Sequence, residues 1–171
     1  MPTDMSQAKQ PVSAMLTGPY GHPFHPMLVT VPIGAWVTSL VFDVGSCIVD
    51  DPAFLSRGAL WLIAVGVLGA LAAATVGFLD LLSIPVGTAA QRTALIHMSL
   101  MLVVTLAFAG NFWWRATSGT DGTVGAGQLC LTVVSLIVLT VAGALGGKLA
   151  YRYGVRVVDE ATQAEGFERR D

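Results

Sequence analysis

Apolar residues fill four long stretches of the chain, and polar punctuation separates them. The stretches run from about Pro26 to Val49, Ala59 to Leu82, Thr93 to Trp114 and Gln128 to Ala150. Each exceeds the ~20 residues that a helix needs to cross a bilayer. Asp50-Asp51-Pro52 opens the first break and Arg57 closes it. Residues 83–92 (SIPVGTAAQR) form the second break, and Arg115 to Gly127 the third. Turn formers mixed with charge let the loop backbone reach water. Lone β-hairpins are excluded, because unpaired backbone cannot face lipid. The pattern predicts an all-α fold, a polytopic membrane bundle of four transmembrane helices over residues 22–150. Residues 1–21 read as a mobile polar arm, and residues 151–171 as a charged tail. No internal repeat of 20–50 residues is visible.

Composition excludes whole classes of function. Hydrophobic residues make up 54% of the 171, charged residues only 12%, and mean hydropathy is +0.69. About 25% charge is usual for a soluble domain. A net charge of −2 offers no basic surface for nucleic acid. Two cysteines cannot make a disulfide scaffold or a thiolate zinc cluster. Cys47 and Cys130 fall at the same end of the bundle, where a disulfide or two inert buried thiols are the alternatives.

Basic residues set the expected orientation. Lys9, Arg92, Lys148, Arg152, Arg156, Arg169 and Arg170 lie on the side of the termini, against Arg57 and Arg115 on the other. That bias places both termini in the cytoplasm of a bacterial inner membrane. Trp113 and Trp114 mark the outer interface, and Tyr151 and Tyr153 the inner one.

Lipid supplies no hydrophobic drive between helices, so small residues must let them approach. Gly66, Ala70 and Ala74, with Gly69, Ala73 and Gly77 beside them, form such faces on the second span, as do Gly143 and Gly147 on the fourth. The same faces allow a homo-oligomer. Pro32 removes a backbone donor inside the first span and predicts a kink at the Leu28 carbonyl.

Ionisable groups near a membrane mark candidate sites. His22 and His25 stand at the mouth of the first span, in Gly21-His22-Pro23-Phe24-His25-Pro26. His97 lies about 6 Å into the third span, counted from Thr93 at 1.5 Å per residue. Asp80, Arg92 and Lys148 reach the same side. The imidazoles suit axial ligation of a b-type haem, or with Asp80 a divalent metal ion. Arg92 and Lys148 suit propionates, a quinone or an acidic head group, and Asp80 suits orienting a histidine. Interfacial anchoring of the helix ends accounts for the same residues equally well. Asp43, on the other side, is expected to pair with Arg57 or to serve the helix end. No nucleophile elbow, phosphate loop or paired buried carboxylate points to an enzyme of soluble substrates.

Gly21-His22-Pro23-Phe24-His25-Pro26-Met27-Leu28-Val29 followed by Pro32-Ile33-Gly34 resembles the start of a bacterial family of four-helix membrane proteins catalogued as a domain of unknown function. Gly77-Phe78-Leu79-Asp80 with Ile84-Pro85 and Gly87-Thr88 is similar to the family too. So are His97 downstream of Arg92, and Gly146-Gly147-Lys148-Leu149-Ala150-Tyr151 with Gly154-Val155. The resemblance spans about residues 19–158. Some relatives carry a Rieske-type iron–sulfur domain. This implies membrane electron transfer, here with an iron–sulfur protein as a separate partner. Relatives often have Asn where Met101 stands, which leaves Met101 as a soft ligand candidate. Three functions remain open from this reading: a haem- or quinone-binding redox component, a non-enzymatic scaffold or assembly subunit, and a metal-ion-binding membrane protein.

Overall fold

In the computed structural model, residues 4–11, 17–18 and 21–167 are described. The elements run α1 (Asp4–Lys9), α2 (Phe24–Leu28), α3 (Thr30–Ser46), α4 (Ala53–Leu81), α5 (Ala89–Ser118), α6 (Ala126–Tyr151) and α7 (Glu160–Ala164). α2 and α3 together, α4, α5 and α6 are long and apolar enough to span a membrane. Among the described residues there is no strand, and the fold is an all-α membrane bundle.

Local chemistry sets the helix ends. Thr88 caps α5: its hydroxyl accepts from Gln91 N–H at 3.1 Å, while Gln91 Oε1 accepts from Gly87 N–H at 2.7 Å. This is the reciprocal logic of a capping box. Gly119 stops α5 with φ +87°, which costs glycine nothing. Pro32 acts upstream of itself, as its ring disfavours a helical carbonyl four residues back. The helix is accordingly interrupted at Val29, between α2 and α3.

The helices form a ring in which α3 packs on α4 and α5 on α6, with α4–α5 and α3–α6 closing the square. The surface is apolar: Val41, Leu68, Leu102, Leu106 and Ile137 are all exposed. The interior carries the polar groups, among them Ser39, Asp43, Asn111, Arg115 and Thr132, each nearly or fully buried. This inversion is what a lipid solvent demands, since unpaired polar groups in hydrocarbon cost several kcal/mol each, roughly.

Two hairpins repeat one pattern. The buried residues Pro32, Trp36, Ser39 and Asp43 of α3 recur 72 positions later as Val104, Phe108, Asn111 and Arg115 of α5 (32 to 104, 43 to 115). Those of α4, Ala59, Ile63, Gly66, Ala70 and Ala73, recur 69 positions later as Gln128, Thr132, Ser135, Leu139 and Ala142 of α6 (59 to 128, 73 to 142). Contacts repeat with them. A Cβ on Gly58 would strike Phe42 at 2.6 Å, and one on Gly127 would strike Trp114 at 2.6 Å (42 to 114, 58 to 127). The bundle therefore has a pseudo-two-fold axis along its length, with parallel hairpins as its halves. Equivalent side chains meet across it. Trp36 stacks on Phe108 with centroids 4.3 Å apart and planes 9° from parallel.

Small residues act as the sequence pattern predicts on α4. Gly66 underlies Trp36, Gly69 underlies Val31 and Pro32, and Gly77 underlies His25. On α6 the seat is Gly146, under His97. Gly143 faces open space, and Ala74 is exposed, so neither belongs to a contact face within the chain.

The arm and tail are joined. Ala8 is buried, Arg156 N–H donates to Ala8 O at 3.0 Å, and Lys9 reaches Glu160 at 3.5 Å. The described part of the arm thus packs against the tail. Val155 folds back onto Ile84 and Ala94. Arg169 and Arg170 lie outside the described residues.

Gly66→Ala places a methyl 2.2 Å from Trp36 Nε1. It should lower stability by about 1–3 kcal/mol, the usual cost of overpacking. Gly143→Ala should leave the melting temperature of the detergent-solubilised protein unchanged. Parallel thermal unfolding of the two variants checks the contrast.

Candidate functional site

Two polar centres sit at opposite ends of the pseudo-two-fold axis. At the end away from the termini, Arg115 Nη1 donates to Asp43 Oδ1 at 2.6 Å and Nη2 to Oδ2 at 2.8 Å. Both side chains are buried, at 2% and 0% exposure. Arg115 Nε donates to Asn111 Oδ1, and Nη2 also reaches Thr132 Oγ1 at 3.1 Å. Asn111 Nδ2 donates to Thr132 Oγ1 and to the Gln128 carbonyl. Planar, two-pronged pairing of this kind is the strong form of an ion pair. A cavity of about 20 Å³ beside Arg115, lined by Ser56, Gly119 and Gly122, has room for one water.

This centre corrects the sequence reading. Arg115 is not a loop residue, because α5 continues to Ser118. Asp43 pairs with Arg115, while Arg57 pairs on the surface with Asp121 at 3.3 Å. The signal was present as spacing: Asp43 follows His25 by as many residues as Arg115 follows His97. Cys47 and Cys130 are free thiols on the exposed surface, neither buried nor bridged.

At the termini end, the structure brings together two of the three histidines. His25 Nδ1 lies 2.9 Å from Ala73 O, and His97 Nδ1 lies 2.8 Å from Ala142 O. The carbonyls are equivalent under the 69-residue offset, and so are Gly77 and Gly146, on which the rings rest. A carbonyl only accepts, so each Nδ1 carries a proton, and in the neutral ring Nε2 is the nitrogen with the lone pair. The two imidazoles are within electrostatic reach of each other, and His25 is within reach of Asp80.

The other expected residues have different surroundings. Asp80 does not orient either imidazole through a hydrogen bond; its Oδ1 stands 2.9 Å from Arg156 Nε. Arg156 escaped the site prediction because it lies beyond the last span. His22 is half-buried in the turn before α2, where its carbonyl accepts from Gly18 N–H at 2.8 Å. Arg92 is exposed in the first turn of α5. Met101 packs against the Trp36–Phe108 core. The Lys148 ammonium sits 5.4 Å from the Tyr153 ring centroid. Among the described residues, no three His, Cys, Asp or Glu side chains converge as a metal site.

Removing one partner of the axial ion pair leaves a buried charge. Asp43→Asn or Arg115→Gln should each cost about 3–5 kcal/mol. The exchanged pair, Asp43→Arg with Arg115→Asp, should regain part of that loss, because the two positions are equivalent about the axis. Unfolding in detergent, read as a double-mutant cycle, checks this.

Hydrogen bonding to Lys148, and then to Thr93, holds the Tyr153 phenol below the usual tyrosine range. A depressed value means that its ionisation favours the fold above the ordinary phenol pKa. That contribution falls away as pH drops through the lowered value and is absent at neutrality. In an alkaline titration at 295 nm, the first tyrosinate should vanish in Tyr153→Phe and move to higher pH in Lys148→Gln.

Comparison with curated proteins and with solved structures returns no significant match. A family model does match, over residues 21–159, from the turn before α2 to the cap of α7. The matched region holds both polar centres and the whole four-helix bundle, and the chain therefore belongs to the membrane-protein family described as "Predicted membrane protein (DUF2231)".

Proposed function

We propose that the bundle is a small membrane redox component whose His25 and His97 bind a b-type haem, or a quinone in the same place, at the termini end. One observation supports this reading above the rest: equivalent imidazoles on diagonal helices, each with Nδ1 tied to a backbone carbonyl and Nε2 left to ligate. Ligating histidines are oriented by such a second hydrogen bond. A haem supplies one-electron chemistry when bound. The chain's own part is to fix both tautomers and hold both rings against Gly77 and Gly146. Lys148 and Arg92 lie at the same end as cations for acidic groups, and His22 is the alternate ligand. The bias of basic residues supports an orientation with this end on the cytoplasmic side of a bacterial inner membrane. A separate iron–sulfur protein is then the fitting redox partner.

A scaffold subunit is the second reading, and the filled axis favours it. Trp36 and Phe108 close the bundle centre with no room for a ligand between them. A metal ion held by the two imidazoles, with Asp80 nearby, is the third.

The detergent-purified protein should show a reduced-minus-oxidised spectrum with Soret and α bands at near one haem per chain. His25→Ala and His97→Ala should each lose most of the pigment. A colourless protein with one metal per chain would replace haem by the ion. A colourless, metal-free protein that also fails to bind a ubiquinone analogue would overturn the redox reading in favour of the scaffold.

A further inference from the structure

Beyond α6 the chain turns back under the bundle through residues 154–157, where Gly154 and Arg156 hold φ +68° and +59°. All four amides of this segment are bound. Gly154 N–H donates to Ala150 O, Val155 to Leu149 O, Arg156 to Ala8 O and Val157 to Gly154 O, at 3.0–3.1 Å. Two neighbouring side chains then press on the floor of the histidine end. Arg156 Nε stands 2.9 Å from Asp80 Oδ1, and Asp80 lies three residues past Gly77, the seat of His25. Val155 packs on Ala94, three residues before His97. Three residues are ~4.5 Å along a helix axis, so the segment lies about one turn beyond each imidazole. The hairpin repeat puts Leu149 where Asp80 stands (80 to 149), so the carboxylate is no part of the plan that the two halves share. Its ion partner is this segment.

The closed position carries strain. Arg156 Nη2 is buried without a hydrogen-bond partner, and φ +59° is an uncommon conformation for a non-glycine residue. Such strain collects at ligand clamps and switch segments. The side-chain link to the arm is one ion pair, Lys9 with Glu160 at 3.5 Å, and the Glu160 side chain is 88% exposed, so water weakens it. A cavity of about 310 Å³ between arm and tail, lined by Lys9, Thr17, Arg156 and Val158 among others, leaves the segment room to move. We propose that residues 154–157 are a strap that closes the termini end over His25 and His97 and opens locally, with the bundle intact, to admit what they bind. Trp36 and Phe108 fill the axis, so the aqueous way to the imidazoles is from this end. What enters rests on the redox reading above; the strap does not.

Hydrogen exchange of the full chain in detergent, read by mass spectrometry, tests the opening. Every strap amide is bonded, so exchange there requires the strap to leave its seat. Residues 154–157 should exchange at least about tenfold faster than the buried core of α4, as a locally opening unit does. Gly154→Ala and Arg156→Gln should each speed strap exchange about fivefold or more while the α4 core stays unchanged. Gly154→Ala acts through the backbone alone, because an L side chain is disfavoured at φ +68° and no charge is altered. Modification of His25 and His97 by diethyl pyrocarbonate, followed peptide by peptide, should quicken in step in both variants. Where pigment occupies the imidazoles, haem transfer to excess apomyoglobin replaces that readout and should quicken likewise. A colourless protein thus bears on the redox reading and not on the strap. Strap amides that exchange only together with the α4 core, or no faster in the two variants than in the wild type, would overturn the proposal. So would variants whose strap opens while histidine modification or haem release keeps the wild-type rate.

Discussion

Everything in this bundle is arranged around one buried ion pair, Asp43 with Arg115. Neither charge is tolerable in an apolar interior alone, and the bidentate geometry with Asn111 and Thr132 as further partners is what makes them tolerable together. The pair joins α3 to α5, which are diagonal rather than adjacent in the ring. Thr132 adds α6, and Ser46 reaches the loop before α6 through the Val124 N–H at 3.2 Å. One polar cluster thereby fixes the rotation of three helices about their own axes. Leu or Val contacts could not do so, because lipid tails compete for them on equal terms.

Once rotation is fixed, the rest of the axis follows in tiers. Asp43, Trp36 and His25 lie on one face of the first span, at separations of 7 and 11 residues, which are close to whole helical turns. Arg115, Phe108 and His97 repeat those separations on the third span. The charge pair locks one end and the aromatic stack fills the middle. The histidines close the other end, turned aside onto α4 and α6 by Ala73 and Ala142. The filled middle means that the two ends do not communicate through an open pore. The ligand proposed for the imidazoles would have to come from their own side, and the cluster around Arg115 acts as structure.

Much of this was legible in the residues, and the misses have definite causes. Length and apolarity give the four helices because a bilayer admits few alternatives. Gly66 and Gly77 announce close packing, since nothing larger fits under Trp36 or His25. His25 and His97 stand out as ionisable groups at one membrane depth. Arg115 was lost to the third loop because an arginine next to Ser118-Gly119-Thr120-Asp121 looks like a water-facing residue. Only a partner of opposite charge, on a helix distant in sequence, makes burial affordable. The repeat was missed because its period is near 70 residues and its equivalent positions differ in chemistry. Asp faces Arg and Trp faces Phe, so burial and contact repeat while identity does not. Arg156 was missed because the tail reads as solvent-facing, and only its return under α4 brings it to Asp80.

The divergence of the two hairpins has a consequence for assembly. Two copies of the first hairpin arranged about a two-fold axis would bring Asp43 against Asp43, and two copies of the second would oppose Arg115 to Arg115. Either arrangement buries like charges in a low dielectric, where repulsion is strong and no counter-ion can screen it. The first hairpin can therefore close only on the second. The symmetry that supplies paired histidines at one end is retained, while the opposite charges at the other end select which halves meet. An oligomer of whole chains must then use the lipid-facing surface, where Gly143 and Ala74 leave small-residue sites that the bundle itself does not occupy.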